Sequence, residues 1–411
     1  MPKITPEALF ILQSLLIVGG PFFLRTSHRI RKYVPLVVLQ IIFSIILGPS
    51  VLGYLSPASY NFLFPKESLQ VLSGLSWMAL LLFGFLTGTH FEAAIIKNSK
   101  KQFAITSISV TFIPALLGAL VALLLYRPEL VGAHATPVVF ALGMAIAVGT
   151  TALPVLGSIL TELNLIDKEI GKKTLGYATF GDLFIWFFIA ILIAAVNTDA
   201  SRAIFTIAGG CGFLLFLWYV VQPHLISSVK SGYLTSDINR KQLVYLLILL
   251  FSSAFIAEVI GIHYLFGAFI FGAIIPKAIA QGVRARLEQF VYVCLMPFFF
   301  ILTGLKTVFH IEGPTIWMLF GVMFLVASLG KILSAAIPER LFGSSWKEAF
   351  QIGSLMQTKG LMEIVVLNIL ISAQIISSVT FSSMMLVAVT TTVITQPILL
   401  LTEKLGAKAS S

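Results

Sequence analysis

Apolar stretches of membrane-crossing length alternate with short basic segments along almost all 411 residues. Setting hydropathy against charge predicts thirteen helices of about 17–26 residues each. They cover roughly 7–24, 33–54, 71–91, 103–126, 136–161, 175–197, 203–221, 243–260, 263–280, 289–305, 314–337, 348–372 and 376–401. Three tracts, 130–161, 203–229 and 364–402, hold no Asp, Glu, Lys or Arg at all. The reading is an all-α polytopic membrane protein.

The basic residues test this layout. Twenty of the 27 fall in alternate loops, five on the opposite side, and Lys331 and Lys359 inside spans. Positive charge collects on the cytoplasmic side of membrane proteins. The N-terminus is therefore expected outside and the C-terminus in the cytoplasm, in a bacterial cell (inner) membrane. The formal net charge of +10 belongs to these loops and not to a nucleic-acid surface.

Composition agrees: 58% of residues are hydrophobic and 11% charged, where soluble domains carry about a quarter charged residues. A soluble enzyme is excluded, and no nucleophile–base–orienter set or phosphate-binding glycine loop stands out. The six histidines are scattered, so no resident metal or cofactor is expected. Cys211 and Cys294 fall in apolar spans and read as buried, inert thiols. The N-terminus has no signal-peptide pattern. The tail after Leu401 is short, so the expectation is a single transmembrane domain over 1–411 without a soluble regulatory domain.

Two predicted spans are interrupted. The fifth contains Gly149-Thr150-Thr151-Ala152-Leu153-Pro154, and proline removes a backbone donor and clashes with the preceding turn. The twelfth contains Met356-Gln357-Thr358-Lys359-Gly360-Leu361-Met362-Glu363. Matching weak points in two halves of a transporter mark a substrate site. Their offset of seven spans is odd, which implies an inverted 6+1+6 repeat: repeat one at about 7–197, a linker helix at about 203–221, and repeat two at about 243–401. Taken singly, a proline is equally a simple kink, and Thr150 and Thr151 could only bond back to carbonyls.

The charges inside the membrane carry the chemistry. Asp182 sits in Thr179-Phe180-Gly181-Asp182-Leu183-Phe184, and a charge at such depth costs on the order of 3 kcal/mol. A carboxylate there can hold a cation or a proton in turn. It lies ~10 Å from the cytoplasmic end of its predicted span, and Lys331 lies ~9 Å deep in the eleventh, so the two are expected to be partners or members of one site. The alternative for Lys331 is a stem that snorkels to the interface. Lys359 and Glu363, four apart, either brace the crossover or form a scaffold pair. Glu258, His90 and Glu92 read as interfacial.

These motifs resemble the monovalent cation/proton antiporters of the second branch, which includes the Kef-type potassium systems and the plant cation/H⁺ exchangers. The resemblance spans nearly the whole chain. It rests on Gln40-Ile41 with Leu47-Gly48-Pro49-Ser50-Val51-Leu52-Gly53, and on Thr151-Ala152-Leu153-Pro154-Val155-Leu156 with Ile159-Leu160-Thr161-Glu162-Leu163. It rests also on Ile260-Gly261-Ile262-His263, Met296-Pro297, Gly330-Lys331, and Thr358-Lys359-Gly360-Leu361-Met362-Glu363. It implies an antiporter fold with two interrupted crossing helices, a homodimer, and a six-helix core that moves like an elevator. It places the ion- and proton-binding aspartate at Asp182, crossover hydroxyls and carbonyls at Thr150 and Thr151, and the core's basic residue at Lys331. Pro154, Gly181, Lys359 and Glu363 are expected to support the crossover.

Gly181 departs from the family, where Asp, Asn or Gln precedes the aspartate. A single carboxylate favours electroneutral exchange of one Na⁺ or K⁺ for one H⁺. The missing side chain is expected to leave a gap for water or a larger substrate. A proton-coupled exporter of an organic solute is therefore the alternative, and an uncoupled uniporter a third.

Overall fold

A computed structural model describes residues 5–26, 34–91, 99–133, 135–197, 200–305 and 313–408. Among these, secondary structure is helical apart from one isolated antiparallel bridge, Val131 to Ile376. Ten helices among the described residues are long and apolar enough to cross a membrane. The chain is an integral, multi-pass membrane protein.

The helices follow the predicted order. They are α1 (Pro6–Leu24), α2 (Leu36–Leu47), α3 (Lys66–Thr89), α4 (Lys100–Leu124), α5 (Pro137–Gly149) and α6 (Leu153–Glu162). Next come α7 (Glu169–Asn197), α8 (Ala200–Phe216), α9 (Arg240–Ile260), α10 (Tyr264–Ile274), α11 (Lys277–Phe290) and α12 (Met296–Leu305). The last are α13 (Pro314–Leu341), α14 (Trp346–Met356), α15 (Gly360–Ser372) and α16 (Ser378–Lys408). The fifth and twelfth predicted spans are thus the broken pairs α5–α6 and α14–α15.

Local signals set many of the ends. Thr136 caps α5, its hydroxyl accepting from the Val139 amide (3.3 Å), with Pro137 in the first turn where its missing N–H costs nothing. Asn239 and Gln242 form a capping box on α9, and Gly261 ends it at φ +92°. Glu258 then accepts from the Tyr264 amide at 2.8 Å and caps α10, so its role is to turn the chain between two spans.

Some helices run further than hydropathy predicts. The stretch 281–288, expected as loop between two spans, lies inside an amphipathic helix, Lys277–Phe290, that buries Ile279, Ala280 and Val283 and continues through a π-helical turn into α12. Helix α8 likewise continues through a π turn, Leu217–Val221, into Gln222–Lys230. A polar face does not stop a helix whose apolar face has a surface to cover.

The spans pack as two groups. One combines α1, α2, α3, α9, α10 and α11–α12; the other combines α4, α5–α6, α7, α13, α14–α15 and α16; helix α8 touches α7 and α9 between them. Within the first group α3 and α10 nearly touch backbone to backbone. A Cβ on Gly88 would lie 2.1 Å from the Phe269 carbonyl, and one on Gly272 2.1 Å from that of Phe85. Small residues permit such approach where lipid offers no hydrophobic drive between helices.

Cys211 and Cys294 are free and exposed on the outer faces of their helices, not buried as the apolar runs suggested. An apolar run in a membrane protein marks a lipid-facing side as readily as a core.

Candidate functional site

The second group of helices closes around the two breaks. Helix α5 ends at Gly149, and Thr150, Thr151 and Ala152 run extended before α6 begins. Helix α14 ends at Met356, and Gln357 to Lys359 separate it from α15. The breaks bond to each other. The Ala152 amide donates to the Thr358 carbonyl (2.8 Å), and the Thr151 hydroxyl donates to that of Met356 (3.0 Å).

A helix that ends in the membrane leaves its last carbonyls without partners, and they carry partial negative charge. Here two buried lysines meet those of α5. Lys359 Nζ donates to the carbonyls of Ala147 (2.8 Å), Val148 (3.0 Å) and Thr150 (3.4 Å). Lys331 Nζ donates to the Gly149 carbonyl (2.5 Å) and the Thr151 hydroxyl (2.9 Å). Lys331 therefore does not snorkel; it is 1% exposed and its stem reaches the crossover. The Thr150 hydroxyl bonds back to the Ile146 carbonyl at 2.7 Å.

Glu363 lies 3.4 Å from Lys359, both fully buried. Beyond that ion pair, and among the described residues, neither Glu363 oxygen has a hydrogen bond, and the Gln357 amide is buried without a hydrogen-bond partner. An unmet buried polar group costs about 1–3 kcal/mol, so this crossover holds polar groups at a real expense in stability.

Asp182 is 4% exposed on α7, thirteen residues beyond that helix's start at Glu169. That is ~20 Å at 1.5 Å per residue, deeper than the span predicted from hydropathy. Lys331 is the charge that acts on it, yet the two form no ion pair within 4.0 Å among the described residues. The expected Asp182–Lys331 partnership is thus one of neighbours: the ammonium is held by the crossover and leaves the carboxylate to other partners. Pro154 sits in the first turn of α6, where its lack of an N–H is tolerated.

The gap expected at Gly181 is filled. A Cβ there would stand 3.1 Å from the Thr111 hydroxyl, on α4. Thr111 also lines a cavity of about 360 Å³ whose walls include Ala115, Ile146, Gly149, Ile185 and Phe188. A second cavity, about 380 Å³, lies between the groups, lined by Gln40, Ser158, Thr161, Tyr292 and Phe300 among others. At its edge Arg25 pairs with Glu162, whose other oxygen accepts from the Leu36 amide at 2.8 Å. His90, read as interfacial, is 5% exposed and contacts Asp167 (3.1 Å) and Glu288 (3.4 Å). Glu92 lies outside the described residues.

Sequence reasoning missed a further carboxylate. Glu339 is fully buried near the end of α13. It accepts from Tyr177 (2.6 Å), Ser344 (2.9 Å), Gln102 (3.0 Å) and Thr106 (3.3 Å), joining α4, α7 and α13. Its place just past the predicted end of the eleventh span hid it among charges expected to lie in a loop. An acid following Ala335-Ala336-Ile337-Pro338 was the available signal.

The family profile described as "Sodium/hydrogen exchanger, transmembrane" matches residues 14–401. Cation/H(+) antiporter 15 of Arabidopsis thaliana is 32% identical over 98% of this chain and 49% of its own length. The chain spans about half the length of the plant relatives it matches. The Na(+)/H(+) antiporter NhaS4 of Synechocystis sp. is 30% identical over 96% of this chain and 97% of its own length. The K(+)/H(+) antiporter 1 of Saccharomyces cerevisiae is 29% identical over 96% of this chain and 46% of its own length. Among solved structures, the sodium proton antiporter MjNhaP1 of Methanocaldococcus jannaschii superposes with a TM-score of 0.62 at 14% identity, covering 96% of this chain and 99% of that one. Its likeness extends to the fold alone. With the profile covering nearly the full sequence and a relative matched along its whole length, the chain belongs to the sodium/hydrogen exchanger transmembrane family.

Proposed function

We propose that this protein is a secondary active transporter that exchanges Na⁺ or K⁺ for H⁺, one for one, with Asp182 as the shared site. The observation that carries this reading is the contrast between Asp182 and the charges around it. Lys359 is tied to Glu363 and three carbonyls, and Lys331 to the crossover, whereas among the described residues Asp182 forms no ion pair with either. A buried carboxylate in that position favours a proton or a cation as its partner, in turn. Relatives named for cation/H⁺, Na⁺/H⁺ and K⁺/H⁺ exchange support the substrate class.

The two helix groups support alternating access, in which the group bearing Asp182, Lys331 and both breaks moves as an elevator against the other, which forms the homodimer. The order of the spans is that of an inverted repeat, 7–197 answering to 243–401. A bare carboxylate is costly to carry past an apolar barrier, so only the protonated or cation-bound core moves. The N-terminus lies outside and the C-terminus in the cytoplasm, in a bacterial inner membrane. Site residues besides Asp182 are Thr150 and Thr151, with Lys331, Pro154, Gly181, Lys359 and Glu363 in support.

The apolar cavity beside Gly149 favours one second reading, a proton-coupled exporter of an organic solute. Cation-induced dissipation of a preset pH gradient in proteoliposomes separates them. Exchange is expected with Na⁺ or K⁺. A folded protein that ignores both ions but dissipates the gradient on addition of a quaternary ammonium ion, which carries no proton of its own, would transfer the assignment to the exporter.

A further inference from the structure

The two helix groups touch differently at the two ends of α7. Near its start, the Thr161 hydroxyl at the end of α6 shares a hydrogen bond with the Tyr292 hydroxyl (3.0 Å), and both residues line the cavity of about 380 Å³. That contact is polar and borders open space. Seventeen residues beyond Glu169 the character changes. The Trp186 ring lies flat on the His263 imidazole, with centroids 4.9 Å apart and planes 18° from parallel. Trp186 belongs to the group that holds both breaks, and His263 caps α10 in the other group. Trp186 is 6% exposed. It follows Asp182 by four residues, so it stands one turn further along the same side of α7.

The His263 half of this stack is pinned. Its ring stacks in turn on Tyr264, centroids 4.3 Å apart, and its Nδ1 accepts from the Leu265 amide at 3.3 Å. Glu258 holds the Tyr264 amide, and the Thr206 hydroxyl donates to the Ile260 carbonyl (2.9 Å), which ties the turn to α8. Beside the stack, Phe187 and Ile262 meet over Gly210. A Cβ there would lie 2.5 Å from the Ile262 Cδ1 and 3.0 Å from the Phe187 ring. Stacked rings at such separations attract beyond the area they bury. The closure is therefore tight, apolar and fixed on one side only.

We propose that Trp186 and His263 form a gate: their stack closes the path between the helix groups on the side of Asp182 away from the 380 Å³ cavity, and it parts when the core moves to open that side. The inference rests on the exchange reading and adds to it the pair that decides which face of the membrane Asp182 meets. The turn at 261–263 is the fixed half. Trp186, carried on the same helix as Asp182, is the half that moves.

The test ties the two halves together. With Cys211→Ser and Cys294→Ser removing the free thiols, the pair Trp186→Cys and His263→Cys is bridged in proteoliposomes with dibromobimane, which fluoresces once both thiols have reacted. Bridging is expected to stop Na⁺- and K⁺-driven pH dissipation relative to the same vesicles before the reagent. Full bridging with unchanged exchange would show that the rings need not part, and would overturn the gate alone. A second measurement leaves Trp186 in place and compares the cation KM at each face, in vesicles of the two orientations. Apparent affinity at a face rises with the fraction of protein open there. His263→Ala is expected to lower the KM at the face where α10 begins by up to about tenfold, the upper size of one aromatic pair, with little change at the other face. His263→Phe keeps a ring in the stack and holds both values within about twofold. The same KM at both faces in wild type and His263→Ala overturns the gate, and decides the matter if the double-cysteine variant is inactive before bridging. A folded wild type without cation-driven exchange overturns the exchange reading and this inference with it.

Discussion

The two broken helices meet in one place but are built from opposite materials. The α5–α6 break is neutral: glycine, two threonines and a proline, all with backbone oxygens to offer. The α14–α15 break carries Lys359 and, one turn on, Glu363. The charged break completes the neutral one, its ammonium reaching three carbonyls at the end of α5. A lysine from an unbroken helix, Lys331, does the same for the fourth. The difference teaches that a crossing need not be symmetric in chemistry to be symmetric in place. One side exposes dipoles and the other supplies cations of the protein's own, which leaves Asp182, on α7, as the buried carboxylate proposed to exchange.

The largest effect is expected from removing that exchange. Asp182→Asn should lower cation-driven pH dissipation to the level of empty liposomes, with the melting temperature kept; near-normal flux in the mutant would sink the shared-site mechanism. Next comes the charged break. Lys359→Ala leaves three carbonyls and a buried glutamate unmet, a change of about 3–5 kcal/mol for a broken buried pair. A large drop in melting temperature in detergent checks this, and the double variant Lys359→Met with Glu363→Met should recover part of it. Lys331→Ala forfeits two bonds and is expected to lower the melting temperature by less, with the cation-to-proton ratio unchanged. A changed ratio would mean that Lys331 exchanges protons in the cycle and would break the comparison of resident with exchanging charges. The smallest effect belongs to Thr151→Val, which removes one bond to Met356 and one acceptor for Lys331, about 1–3 kcal/mol. Thermal unfolding beside Lys331→Ala would show whether the two losses overlap, as shared partners require.

The order of the helices, both interruptions and the burial of Asp182 were legible in the sequence, because hydropathy, proline and a lone membrane carboxylate each act locally. What the lysines touch was not. Lys331 and Asp182 lie at similar predicted depths, which suggested an ion pair, but the partners of Lys331 are 180 and 182 residues away in the chain. Depth along a helix says nothing about the direction a side chain takes around it. Gly181 read as a hole, because the sequence does not say which neighbour leans over a glycine; Thr111 looks like any other threonine in an apolar run. Glu339 escaped for a related reason, since the end of a span is the place where an acid is expected to meet water.

The lysine-capped end of α5 bears on how the protein is made. Helix α5 is synthesised well before its caps: its carbonyls wait 182 residues for Lys331 and 212, in the case of Ala147, for Lys359. Until α13 and α15 arrive, a half-helix with unmet carbonyls stands in or beside the bilayer. The first six spans therefore form an intermediate whose costliest groups are those its second half will satisfy. Chains cut between α12 and α13 should be held by the insertion machinery or degraded, whereas loss of α16 alone leaves both caps in place.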